Sequence, residues 1–349
     1  MGDQHWTSSG IIRSRLGRRP RPPYGPPRPA EIVPARAAWP AISPGRIRSA
    51  GSVPAGARRA GIGAVAITPA RIVAVALIAV FLLVTAPTAE PAAAASKPLT
   101  IAALGDSYSS GEGTPPFDQN PAGCRRSAAA WPKLLGQMSP PATVTLHAAC
   151  SGATTRALHE SHKKAPPQLV QLRNLATPPD VVTITIGGND AKFSQVLLSC
   201  VAWKCFWDGD ERRRKDFIED ELPDLLVASY EAVKAEAPKS RVVVVGYPNL
   251  FPTSKRDNVC RWLDDKERRQ LNSLNRTLER VVRRAARDAG VEYVSTAQAL
   301  RGHEMCTKDP WVHPVSVFGQ QRDFSGHPNR AGQEAIARAV HEYLFDDRR

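Results

Sequence analysis

Four short segments of this chain carry residue types that could act together on an electrophilic carbonyl. The first is Gly105-Asp106-Ser107-Tyr108-Ser109-Ser110-Gly111-Glu112-Gly113, directly after the apolar run Leu99–Leu104. A serine just beyond a buried strand, with glycine two residues before it, fits a tight turn that exposes its hydroxyl. A helix starting there would aim backbone N–H groups at a developing negative charge. The same residues also suit an ordinary strand-to-helix turn with serine as the N-cap. The second segment is Cys150-Ser151-Gly152-Ala153-Thr154-Thr155. There, Gly152 either lets a substrate approach a backbone N–H closely or is a turn glycine beside a disulfide. The third, Ile186-Gly187-Gly188-Asn189-Asp190, offers an amide donor at a strand end, or a turn closed by asparagine. The fourth is His327-Pro328-Asn329 near the end of the chain. Neutral imidazole accepts a serine proton near neutral pH, whereas a lone loop histidine is ordinarily just solvated.

The elements that must position these residues are legible in the apolar pattern. Candidate strands are Leu99–Leu104, Val144–Ala148, Val181–Ile186, Val242–Gly246 and Val291–Val294. Most are apolar along much of their length, as strands buried on both faces are. Between them lie amphipathic segments. The clearest runs from Asp264 to about Asp288, with Leu271, Leu274, Leu278, Val281, Val282 and Ala285 spaced mainly three and four apart. Asp264 and Asp265 suit its positive end and Gly290 its stop. A last helix is expected from Ala331 to Leu344. Strands alternating with helices indicate an α/β fold: a three-layer α/β/α sandwich around a mostly parallel five-stranded sheet, in one domain. In such sheets ligands bind outside the carboxyl ends of the strands.

The ordered set Gly-Asp-Ser, Gly152, Gly-Asn-Asp and His-Pro-Asn resembles the SGNH hydrolase superfamily, which has a flavodoxin-like α/β/α fold. Its details are similar to the secreted actinomycete esterases and lipases of that superfamily. The resemblance covers about residues 99–345, including the six-cysteine layout. It implies Ser107 as nucleophile and His327 as general base, then acid. It also implies an oxyanion hole from the Ser107 and Gly152 N–H groups and the Asn189 side chain, acting on carboxylic esters without metal or cofactor. Many members carry aspartate three residues before the histidine. Here that position is Phe324, with Asp323 one residue earlier. The resemblance therefore points to the Phe324 main-chain carbonyl as the group orienting His327, with Asp323 as the alternative. Deacetylation of polysaccharides, acyl transfer and a retired hydrolase fold used for binding are the competing readings.

Composition narrows the setting. The formal charge is +14, but residues 1–71 hold twelve arginines and two acids, leaving +4 for the other 278 residues. Basic character thus belongs to an Arg/Pro-rich leader, expected to be disordered, and not to a nucleic-acid-binding face. Arg71, the uncharged run Ile72–Val84 and the small residues through Ala95 follow the plan of a secretory signal. That run has 13 residues, short of the roughly 20 a spanning helix needs. Residues 72–95 are therefore read as signal and cleavage region, and 96–349 as the hydrolase domain. An uncleaved anchor with the domain outside is the alternative. All six cysteines follow the leader, which suits export. Pairing Cys124–Cys150, Cys200–Cys205 and Cys260–Cys306 is the simplest non-crossing set. No Cys-x-x-Cys pair occurs and the histidines are scattered, so no metal site is expected. The expected chain is a secreted monomer acting on a small-molecule or lipid ester, with contact to a lipid surface.

Several other residues remain open to two readings. Asp106, Glu112 and Asp190 either brace the site loops or are solvated turn acids. Trp311, His313 and Phe318 precede His327 and either line an acyl pocket or, for the two aromatics, pack in the core. The run Arg212–Lys215 sits between Glu211 and Asp216 and reads as a solvated face. No phosphate-loop or dinucleotide glycine fingerprint is present.

Overall fold

Strands apolar on both faces need cover on both sides. In the computed structural model, which describes residues 97–346 apart from 120–121, 203–209, 255–258, 261 and 320, five strands receive it. They are β1 (Leu99–Gly105), β2 (Ala142–His147), β3 (Val181–Thr185), β4 (Arg241–Val245) and β5 (Glu292–Val294). The order across the sheet is β2-β1-β3-β4-β5, and every neighbouring pair is parallel. The expected "mostly parallel" sheet is thus wholly parallel among the described residues. After β2 the chain returns past β1 to form β3, so a crevice opens between the carboxyl ends of β1 and β3.

The main helices are α1 (Ser107–Ser110), α2 (Trp131–Leu134), α3 (Gln168–Arg173), α4 (Phe193–Ala202), α5 (Asp210–Asp216), α6 (Leu222–Glu236), α7 (Asp265–Asp288), α8 (Gln321–Phe324) and α9 (Arg330–Phe345). Alternate strand residues feed two cores, as a period of two requires. Ala102, Leu104, Val182, Ile184 and Val244 pack with Leu226 and Tyr230 of α6 and Leu271, Leu274 and Leu278 of α7. Ile101, Val181, Val243 and Val245 turn the other way, toward Trp131 of α2 and Ile336, Ala337 and Val340 of α9. These are the three layers expected. Each fully buried leucine or valine here contributes roughly 1.5–3 kcal/mol.

Element ends differ from the expectations by a residue or two, and β2 shows why. It begins at Ala142, ahead of the expected Val144, and ends at His147. As an edge strand it alternates buried and exposed positions, so its apolar run understates its length. Helix α7 starts one residue later than its acidic signal, because Asp264 is the N-cap. Its carboxylate accepts from Glu267 N while Glu267 accepts from Asp264 N, a capping box. Helix α9 is capped by Asn329, whose side chain accepts from Gly332 N.

Disulfides join Cys124 to Cys150 and Cys260 to Cys306. The expected partner of Cys200, Cys205, lies outside the described residues, as do the leader 1–71 and the segment 72–95. No helix among the described residues is long and apolar enough to cross a membrane.

Candidate active site

At the crevice, β1 ends in Gly105, whose φ is +121°. A Cβ there would sit 2.3 Å from the Thr185 carbonyl oxygen of β3, so only glycine allows this close approach. Gln168 of α3 fixes the peptide on both sides: Gly105 N donates to its Oε1 at 2.7 Å, and its Nε2 donates to Gly105 O at 2.8 Å. Asp106 then caps α1, accepting from Tyr108 N at 3.0 Å. Ser107 opens the helix, and neither its N–H nor that of Gly152 donates to another group among the described residues.

His327 reaches this turn from the far end of the domain. Its Nε2 lies 2.8 Å from Ser107 Oγ. Burial lowers the imidazole pKa below the ordinary histidine value, so the neutral form predominates near pH 7. Its Nδ1 is buried and makes no hydrogen bond among the described residues. The main-chain carbonyls of Phe324 and Asp323 are near enough to favour the charged ring electrostatically. The Asp323 carboxylate faces elsewhere: it accepts from Arg125 Nη2 at 2.6 Å and is 46% exposed. A second carboxylate stands on the reacting side, Glu112 Oε2 being 3.6 Å from His327 Nε2. Glu112 also accepts from Arg125 Nη1 at 2.9 Å.

Asn189 follows β3, and its Nδ2 donates one proton to Ala153 O at 2.9 Å. Its second amide proton is available to the cavity that Asn189 lines together with Ser107 and His327. Gly152, with φ +75°, lines the wider cleft on the other side of the same residues.

Two tyrosines bind these loops together. Tyr108 OH donates to Gly326 O at 2.7 Å, joining the serine turn to the residue before His327. Tyr247, just beyond β4, donates to Asp106 Oδ2 at 2.5 Å and accepts from Gly188 N at 2.9 Å. It thereby joins the residue before Ser107 to the residue before Asn189. The rings meet edge to face at 5.2 Å. Burial pushes the Asp106 carboxyl up to about 7, although the hydrogen bonds donated by Tyr247 OH and Tyr108 N pull the other way. Tyr247, Gln168 and Arg125 were not singled out from sequence. The rule that sites lie at strand carboxyl ends, applied to β4 as it was to β1 and β3, would have drawn attention to Tyr247.

Of the residues with two readings, the acids are braces and not solvated groups. Asp106 and Glu112 are buried, and Asp190 accepts from Thr155 N and from Thr155 Oγ1 at 2.7 Å. Trp311 stacks on His303 at 3.7 Å and packs against the core. His313 Nε2 donates to Gly113 O at 2.7 Å. Phe318 is 81% exposed and so belongs neither to the core nor to a pocket lining. It follows Val317, which is also exposed, at a point where the loop has turned away from the core. Lys215 pairs with Glu211 at 2.7 Å on α5.

Residues 103–335 match the GDSL-like lipase/acylhydrolase family. The chain belongs to that family. Lipase 1 of Streptomyces coelicolor is 32% identical over 252 residues, covering 71% of this chain and 86% of its own. Lipase of Streptomyces rimosus is 32% identical over 66% of this chain and 81% of its own. The crystal structure of the extracellular lipase from Streptomyces rimosus superposes with a TM-score of 0.60 at 30% identity, covering 69% of this chain and 98% of that one. Phospholipase A1 from Streptomyces albidoflavus gives a TM-score of 0.60 at 34% identity over 70% and 98%. This GDSL-family chain is an ester-hydrolysing enzyme on the α/β fold of those lipases.

Proposed function

We propose that this enzyme cleaves carboxylic esters through an acyl intermediate on Ser107, with His327 moving the proton. The observation that carries the reading is the 2.8 Å contact between Ser107 Oγ and His327 Nε2, beside three donors with no other task. The Ser107 proton passes to Nε2 as Oγ bonds to the substrate carbonyl carbon. The carbonyl oxygen becomes an anion held by Ser107 N–H, Gly152 N–H and the free Asn189 amide proton. Preorganised donors stabilise that charge more than the ground-state carbonyl, which lowers the barrier. The C–O bond to the alcohol then breaks, and the alcohol departs with the proton from Nε2. Water gives a proton to Nε2, attacks the acyl carbon and releases the acid, restoring Ser107.

The group orienting His327 is the Phe324 carbonyl. The Asp323 carboxylate is engaged by Arg125, whereas the Phe324 carbonyl lies beside the ring. Hydrogen bonds that are loose without substrate tighten in the reacting complex. A carbonyl fixes the tautomer without supplying a full charge.

The acyl chain enters the narrow inner cavity lined by Tyr108, Phe193, Leu197, Tyr247, Leu250 and Leu278. The protein acts outside the cell: it carries disulfides, which persist in oxidising compartments, and one relative is an extracellular lipase. Residues 72–95 direct that export, and the domain that follows works as a monomer. Purified protein and its Ser107→Ala variant, assayed on p-nitrophenyl esters of graded acyl length, test the chemistry. Ser107-dependent release is expected, strongest for the acyl lengths the inner cavity accommodates. Equal turnover by the variant would refute the assignment. A mature N-terminus beyond Ala95 in secreted material is the expected sign of export.

A further inference from the structure

The wider cleft beside Ser107, about 300 Å³, carries five charged side chains: Glu112, Arg125, Lys163, Arg322 and Asp323. Three of them satisfy one another, since Arg125 bridges Glu112 and Asp323. Lys163 and Arg322 remain, and neither has a carboxylate within ion-pair distance among the described residues. Lys163 is held with unusual care. It and Lys164 occupy the centre of a two-residue turn closed by His162 N to Ala165 O at 3.1 Å and Ala165 N to His162 O at 2.8 Å. Their φ values are +48° and +65°, a turn geometry that ordinarily selects Asn-Gly and that lysine adopts at a cost.

This turn is fastened to the substrate-facing segment. His162 Nε2 donates to Ser151 O at 3.0 Å, and Lys163 Nζ donates to Ser151 Oγ at 3.0 Å. The ammonium comes within 3.6 Å of where a side chain on Gly152 would begin. Burial lowers its pKa, so it gives up hydration to stand there. A half-dehydrated cation with no carboxylate in direct contact, its nearest opposite charges Glu112 and Asp323 already bridged by Arg125, is complementary to an anion in the cleft.

We propose that the wide cleft receives the alcohol half of the ester and that Lys163, with Arg322 at the rim, selects alcohols bearing a phosphate or carboxylate group. This rests on Ser107 as nucleophile. The inner cavity is the narrower and more apolar of the two and suits the acyl chain, while the alcohol must depart after the first step and needs the wider side. A Lys163 that instead acted on the oxyanion would speed every ester alike, and the experiment separates the two.

Three butanoates share one acyl group and differ in the alcohol: p-nitrophenyl butanoate, 4-butanoyloxybenzoate and 1-butanoylglycerol 3-phosphate. The quantity read is kcat/KM for each anionic ester divided by that for the neutral ester. Lys163→Met is expected to lower this ratio by about tenfold, or ~1.4 kcal/mol. Lys163→Arg retains it, and Arg322→Met lowers it less. Raising NaCl shrinks the wild-type ratio, because the attraction is screened. A fall for the phosphate ester alone assigns the site to phosphate-bearing alcohols, and a fall for the benzoate alone to carboxylates; either supports the subsite. A ratio that Lys163→Met leaves unchanged, whatever the absolute rates do, overturns it. Turnover of all three esters by Ser107→Ala would instead overturn the nucleophile assignment. Inorganic phosphate, as a competitive inhibitor weakened by Lys163→Met, provides a readout independent of ester chemistry.

Discussion

The inner cavity and the wide cleft meet at Ser107, Asn189 and His327, but different parts of the chain build them. Phe193 and Leu197 come from α4, Leu250 from the segment after β4, and Leu278 from α7; all four also belong to the core that fastens helices to the sheet. The cleft is lined mainly by loops and short helices, with only Ser194 and Leu198 coming from α4, and Arg125 links its carboxylates. A change on the inner side therefore disturbs the fold and the chemistry together. On the outer side it alters selectivity with little effect on stability.

That contrast can be broken at several points. Asn189→Ala removes a donor both regions share, and kcat should fall about 10²–10³-fold in a steady-state assay. An unchanged kcat would remove Asn189 from the oxyanion hole. Leu278→Ala opens the inner wall within the core. It should cost about 2–5 kcal/mol of stability in chemical denaturation and move the preference toward longer acyl chains. A longer-chain preference without lost stability would mean the inner wall is separable from the core after all. Tyr247→Phe leaves Gly188 N and the Asp106 carboxyl without their shared partner. The expected loss is about 1–3 kcal/mol, with kcat falling more than KM changes, because the hydroxyl is engaged by Asp106 and Gly188 and acts by positioning Asn189 while the ring stays in the cavity wall.

Asp323→Asn belongs to the outer side and should reduce turnover by less than about threefold, as exposed ion pairs contribute little. A loss near 10⁴-fold, the order seen when a triad acid is replaced, would make Asp323 the orienting group. The pH profile gives the smallest signal. On the proposed mechanism neutral His327 is the competent form, and burial lowers its pKa. Activity should therefore persist below pH 6.5 and fall only at lower pH. A midpoint above 6.5 would mean that a nearby carboxylate, with Glu112 the nearest candidate, outweighs burial.

The same contrast explains what could be read from sequence. Strand β3 and helix α7 are legible because burial imposes a simple pattern: a run of β-branched residues in one, apolar residues three and four apart in the other. Ser107, Asn189 and His327 stand at element ends, where a short motif announces a turn. Tyr247 and Arg125 have no such local mark. Tyr247 meets Asp106 across 141 residues, and Arg125 meets Asp323 across 198. Only the folded sheet brings these partners together. Phe318 shows the opposite error, an apolar residue whose surroundings cover nothing.

The pair at the centre of the site spans 220 residues of chain. Ser107 is placed by the first strand, whereas His327 arrives with the segment leading into the last helix. Contacts so distant in sequence form late, after the intervening chain has lost most of its freedom. On the proposed mechanism, a chain still emerging, or halted before α9 docks, has its serine but no base to activate it. That mechanism makes the enzyme silent until its final turn of structure closes, so hydrolytic competence would itself report that the whole domain has been assembled.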